Sequence, residues 1–274
     1  MLPTIGRGPL AAALHKRRRA VSRDDSLQTV LPSCVCDADA AVLASYSGTE
    51  TSWRNIVAAP ADGSPQTAYD WAFQSGPVFS GTAGTAGAYW DTPSGRSFHL
   101  GAHTDFSAKV QVTGQGRAFA GFFAFRFNAS LGSGSNYHIA GTSAGTGQVG
   151  FRLMVLASTK EIYLGLRGDT LQRSVFSGIF LQDDKDYVAG AAIDMDNGQA
   201  VFWVNGQKST VAFSADPCAS ATVQPFRLCG AGTSSAAGAL PRFYAASLFN
   251  AMPGDTGAAQ VLALYRLRHG RAYN

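Results

Sequence analysis

Hydrolysis of a sugar bond needs two carboxylates roughly 5–10 Å apart, and this 274-residue sequence offers few acids that could be so placed. Its two glutamates, Glu50 and Glu161, are remote from one another and neither stands beside another acid. Asp184/Asp186 and Asp194/Asp196 have the i, i+2 spacing that puts two side chains on one face of a strand. Asp194-Met195-Asp196, however, runs into Asn197-Gly198, where Asp serves ordinary turn chemistry. No Gly-x-Ser-x-Gly elbow is present, and Gly114-x-Gly116 lacks the strand-to-helix context of a dinucleotide site. The chain is therefore expected not to be an enzyme.

Metal chemistry is equally sparse. His99 and His103 have the spacing of two zinc ligands on a helix, but Gly101 and the flanking β-formers place them on a strand or loop. Cys34 and Cys36 are too close for an ordinary disulfide. Cys218 and Cys229 could bridge a loop or remain free, and half-buried free thiols are the preferred reading. Asp105, Asp183, Asp184 and Asp186 are hard-oxygen candidates for calcium, with Asp184 and Asp186 the pair singled out. The plainer alternative is a solvated acidic loop before a strand. No other cofactor is expected.

Carbohydrate recognition needs an aromatic ring to stack on a sugar face, with polar side chains for the hydroxyls. Trp71, Trp90, Tyr89, Tyr137 and Trp203 form the pool. Trp90 and Tyr137 come first as glycan-binding residues because Gly/Ser-rich stretches surround both.

The net charge of +4 sits in one place. Residues 1–25 carry Arg7, Lys16, Arg17, Arg18, Arg19 and Arg23 against Asp24 and Asp25, which leaves the remainder neutral. A neutral body argues against nucleic acid as its main ligand. Residues 1–40 read as a basic arm with too little apolar content to fold alone. Ala11 to Arg19 has the makings of a short helix, and Lys16, Arg17, Arg18 and Arg19 are expected to anchor the chain to a protein partner. The apolar run Pro9 to Leu14 is short and precedes the basic cluster, so a secretory leader is not expected. No run approaches the ~20 apolar residues of a membrane helix.

Residues 41–274 read as one all-β domain. Only 15% of residues are charged and 31 are Gly, a balance that suits turn-rich β-structure over helices. Ala41–Tyr46 and Trp53–Ala58 read as strands, followed by a turn at Pro60–Gly63. Phe119–Phe127 is an aromatic strand buried on at least one face. Val149–Leu156 pairs with Lys160–Arg167, and Tyr187–Asp194 pairs with Gln199–Val204 around Asn197-Gly198, a strong hairpin signal. Arg242–Asn250 is a further strand. Ala258, Val261, Leu262 and Tyr265 recur at helical spacing, with Asp255 or Thr256 as cap and Gly270 after Arg266, Arg268 and His269. Together these predict an antiparallel two-sheet sandwich with a short C-terminal helix.

The ordered set Tyr187–Asp194, Ala200–Gly206 (ending in Trp203-Val204-Asn205-Gly206), Phe226–Gly232 and Pro241–Asn250 resembles the concanavalin A-like, laminin-G-like jelly-roll family. Phe98–Gly101, Asp105–Ser107 and Phe119–Phe127 fit its earlier strands. The resemblance implies glycan binding and a calcium site at the rim. Ser52–Gly63 and Gly81–Gly84 are also similar to stretches in proteins of tailed bacteriophages, which join a basic arm to one such sandwich. That implies a virion structural protein in the capsid or tail, homo-oligomeric within the particle. Its arm would hold neighbouring virion proteins and its sandwich would touch a host-surface glycan. The alternative is a secreted bacterial lectin, or a non-catalytic carbohydrate-binding module derived from a glycosidase.

Overall fold

The computed structural model describes residues 21–74, 76–92, 97–100, 119–132, 136–142, 149–168, 170–194, 197–215, 225–231, 234–235 and 240–274. In chain order the strands are β1 (Cys34–Asp39), β2 (Ser52–Trp53), β3 (Trp71–Gln74), β4 (Val78–Ser80), β5 (Tyr89–Asp91) and β6 (Ser97–Leu100). Then come β7 (Phe119–Phe127), β8 (Asn136–Gly141), β9 (Gly150–Leu156), β10 (Glu161–Arg167), β11 (Gln172–Phe180) and β12 (Lys185–Asp194). The chain closes with β13 (Gln199–Val204), β14 (Gln207–Ala212), β15 (Arg227–Leu228), the small pair β16 (Gly230–Ala231) and β17 (Ser234–Ser235), β18 (Arg242–Phe249) and one helix, α1 (Gly254–His269).

Two eight-stranded sheets face each other. Sheet A runs β14-β13-β12-β7-β18-β5-β4, with β1 also on β18, and sheet B runs β11-β10-β9-β8-β15-β6-β3-β2. Alternation along β7 explains the layering. Phe123, Phe125 and Phe127 enter the core between the sheets, while Ala120, Phe122 and Ala124 enter a second core under α1. Phe202 and Trp203 on β13 divide in the same way, so both are buried. The expected antiparallel sandwich is thus present, with a third layer on sheet A made by α1 and residues 21–33.

Turn chemistry sets the registers. Gly198 (φ 62°) closes the β12–β13 hairpin, and Asn205 and Gly206 (φ 49° and 93°) close β13–β14 as a two-residue turn. Asp194 accepts hydrogen bonds from the backbone N–H and side-chain amide of Asn197, which is the turn role expected of it. Gly270 ends α1 in the left-handed region (φ 60°).

Four expectations about elements change, the first being Trp53–Ala58, of which only Trp53 lies in a strand (β2). Ala41–Tyr46 forms turns, and the strand of that region is β1, seven residues earlier, paired with β18. Residues 21–40, assigned above to the arm, belong to the body: Leu27 is fully buried and its N–H is bonded to Asp37. The helix begins at Gly254 with no side-chain cap, because Asp255 turns instead to Trp203 and Lys208. Cys34, Cys36 and Cys229 are free and fully buried where half-buried thiols were expected, and burial raises all three thiol pKa values, that of Cys229 to about 12. Cys218 lies outside the described residues. Among the described residues no helix is long and apolar enough to cross a membrane.

Candidate functional site

The two aromatics expected to meet a sugar are both in the interior. Trp90 on β5 is 1% exposed, with its ring 4.6 Å from Tyr46 and 4.9 Å from Phe73. Its flanking residues Tyr89 and Asp91 take the outward positions of the strand, so alternation turns Trp90 inward. Tyr137 on β8 is 5% exposed, packs on Phe127 and donates its hydroxyl to the Ala129 carbonyl (3.2 Å). Neither offers a free ring face.

Asp184 and Asp186 also serve another purpose. Asp186 accepts from the Tyr244 hydroxyl (2.7 Å) and from Arg271 (2.8 Å), with Arg126 at 3.6 Å. Asp184 accepts from the Asn128 amide and lies 3.9 Å from Arg126. Guanidinium groups occupy the space around these carboxylates, which disfavours a cation there. Among the described residues no three His, Cys, Asp or Glu gather as a metal site. Lys16, Arg17, Arg18, Arg19, His103 and Asp105 lie outside the described residues. Another i, i+2 acidic pair, Asp37/Asp39 on β1, is fully buried and holds Arg268 of α1.

The outer face of sheet B holds the chemistry that no internal partner uses. Cross-strand pairing aligns Ala72, His99, Arg227, Gly141, Arg152, Gly165 and Ser174 in one row across β3, β6, β15, β8, β9, β10 and β11. The next row is His138, Met154, Tyr163 and Phe176. The inward positions of these strands, Ile139, Leu153 and Leu164 among them, fill the core.

Phe176 is 45% exposed and stacks on the buried Tyr163, with centroids 5.1 Å apart and planes at 22°. Gly165 makes room beside this pair. A Cβ there would fall 2.8 Å from Met154 Cε and 3.5 Å from Arg152 Nε, so Arg152 lies over the strand where a side chain would otherwise stand. The Nε–H groups of Arg152 and Arg227 and the Nδ1 of His138 are buried without a hydrogen-bond partner. Burial, with Arg152 nearby, pushes the His138 pKa down to about 4. Burial and Arg227 lower that of His99, and burial lowers that of Arg227 itself. Glu161 on β10 is also on this face, and it accepts from the Gly178 N–H (2.7 Å). The face can thus stack an apolar ring surface and donate several hydrogen bonds.

A concavity of about 310 Å³ lies on the far side of the molecule, between α1 and β12–β14. Phe122 and Trp203 floor it, and Lys208, Asp255 and Arg266 stand at its rim. Its polar groups are mutually satisfied: Asp255 accepts from Trp203 and Lys208, and Arg266 donates to the carbonyls of Ala272 and Tyr273. Trp203 was in the aromatic pool of the sequence. Arg152, Arg227, His138, Tyr163 and Phe176 were not singled out, and the available signal was an arginine at an outward strand position facing a glycine.

No family model and no curated protein matches the sequence. Solved structures do. Trypanosoma rangeli sialidase, in complex with 2,3-difluoro-KDN, superposes with a TM-score of 0.56 at 10% identity over 88% of this chain and 34% of that one. The binding domain of botulinum neurotoxin serotype D gives 0.54 at 10% identity over 84% and 50%. That of botulinum neurotoxin DC, in complex with rat synaptotagmin II, gives 0.53 at 9% identity over 85% and 52%. These likenesses are of fold. The chain spans about a third to a half of these neighbours, and it shares with them an all-β sandwich. None of the three is named as a phage or laminin-G-like protein, so those finer assignments keep only the sequence likeness that suggested them.

Proposed function

We propose that this chain is a non-catalytic carbohydrate-binding module that takes a glycan on the outer face of sheet B. The observation that carries the reading is the Phe176–Tyr163 stack beside Arg152: an exposed ring, backed by a second ring, next to a guanidinium without an internal acceptor for its Nε–H. A pyranose lays its C–H face on such a ring and turns its hydroxyls to neighbouring donors. Among the described acids of this face, Glu161 is held by a backbone N–H and has no carboxylate opposite, which favours binding over hydrolysis. The fold supports the reading too, since its neighbours include a sialidase solved with a sugar analogue and two toxin binding domains.

The surrounding context is a separate proposal. A virion attachment protein, suggested by likeness to tailed-phage sequences, and a secreted module would both use this face, and the fold neighbours favour the module. Calorimetric titration of the chain with a panel of oligosaccharides tests the function. Saturable binding that falls about tenfold or more in Phe176→Ala supports it. Undiminished binding in that variant would place the site elsewhere.

A further inference from the structure

We propose that the glycan bound on sheet B is an acidic one, whose acidic group is received by the guanidinium of Arg152, with Arg227 adding to the positive field of the same row. The inference rests on the binding face proposed above and names its ligand class.

Several other guanidinium groups of the body are matched to oxygens or rings. Arg268 is bonded to Asp37 and Asp39, Arg271 and Arg126 meet Asp186, Arg23 and Arg266 donate to carbonyls, and Arg242 lies over the Tyr89 ring. Arg152 and Arg227 are the contrast. Both are half-buried and each has a buried Nε–H without an acceptor, as Arg23 and Arg271 also do, but among the described residues no other nitrogen of either guanidinium has a hydrogen-bond or ion-pair partner. Desolvating a guanidinium without a hydrogen-bonding partner is unfavourable, and a bound anion reverses that cost.

Arg152 leans over Gly165 on β10, the side of β9 toward the Phe176 ring, while Arg227 stands on the other side of β8. Arg227 on β15 and Arg152 on β9 both pair with Gly141 on β8, so their backbones are two strand spacings apart, roughly 10 Å. Gly141 contributes no side chain to the space between. His99 faces Arg227, and His138 stands in the next row beside Arg152. The lowered pKa values leave both imidazoles neutral near pH 7, able to hydrogen-bond without adding charge. The planar fork of a guanidinium matches two oxygens of a carboxylate or of a sulfate ester, so either acidic sugar fits it. The Phe176–Tyr163 stack is in the row adjacent to Arg152, within the span of one sugar ring and its substituent.

The test is calorimetry on the full chain with 3′-sialyllactose, a hyaluronan tetrasaccharide, a 3-sulfated lactose and lactose. At least one acidic probe should bind about tenfold or more tighter than lactose. Arg152→Ala should remove that margin and Arg227→Ala should reduce it, the acidic probe losing more affinity than lactose in both. Arg152→Lys keeps the charge and spares the fold, and should still lose most of the margin, with thermal melts confirming folding. Equal binding of acidic and neutral probes, insensitive to both arginines, would overturn the acidic-ligand inference and leave the glycan-binding face standing. Binding of no probe would overturn the inference and the function together.

Discussion

Arg268 Nη2 donates to Asp37 Oδ2 at 2.9 Å, and both side chains are wholly sealed from solvent between α1 and β1. The same guanidinium reaches Asp39 at 3.1 Å and the backbone carbonyls of Arg23 and Asp25. His269 completes the cluster on Asp39. This network fixes the helix and the segment Arg23–Asp25 on sheet A. Removing one partner leaves a buried uncompensated charge, which typically costs about 3–5 kcal/mol. Arg268→Ala is expected to lower stability on that scale, measured by denaturant unfolding, with near-native stability counting against the assignment.

The same cluster sets an acid limit. Burial alone would raise the Asp39 carboxyl, but His269 and Arg268 more than reverse it and hold it below the usual range. A carboxyl depressed in the folded state stabilises above its unfolded pKa of about 3.9, and that stability is lost as pH falls below it. Asp39→Asn should therefore flatten the steepest part of the acid unfolding curve below about pH 4.

His138 acts at milder pH. Its folded pKa is about 4 against an ordinary 6.5, so the unfolded chain takes up the proton first as pH falls. The stability linked to it is full above about pH 6.5 and declines toward pH 4. His138→Gln should be less sensitive over that window than the parent protein, as read from melting temperature against pH.

Gly198 is required twice over. Its φ is 62°, and a Cβ there would stand 2.1 Å from the Phe213 carbonyl oxygen. Gly198→Ala combines left-handed strain of about 1 kcal/mol with a backbone collision, so a loss of several kcal/mol or failure to fold is expected. A stable alanine variant would show that the hairpin closes differently.

The chain start divides within the expected arm. Leu27 is in the core under α1, and Arg23 and Asp25 supply acceptors to Arg268. Trimming through residue 31 is expected to unfold or aggregate the protein relative to a chain trimmed at residue 20. The sequence reading, which put the whole of residues 1–40 outside the sandwich, implies no such difference.

Much of the scaffold was legible because its signals are local. Asn197-Gly198 gave its hairpin, the aromatic run at 119–127 its strand, and Gly270 its helix end. The site was not, because the row from His99 to Arg152 is assembled from four strands whose order in sheet B differs from their order in the chain. Trp90 was misjudged for a related reason. Its Gly-rich neighbours suggested a loop, whereas strand alternation and the facing sheet decide its burial. Asp37 and Asp39 were overlooked because their partner is more than 200 residues away.

The claim that a glycan sits on the outer face of sheet B is tested most directly by mapping it. Amide and aromatic NMR shifts should be followed while 3′-sialyllactose or a hyaluronan tetrasaccharide is titrated into the labelled chain. The account predicts changes at Arg152, Tyr163, Phe176 and Arg227, with Trp203 and the groove beside α1 unmoved. Saturable changes at Trp203, Asp255 and Leu262 with sheet B silent would contradict it.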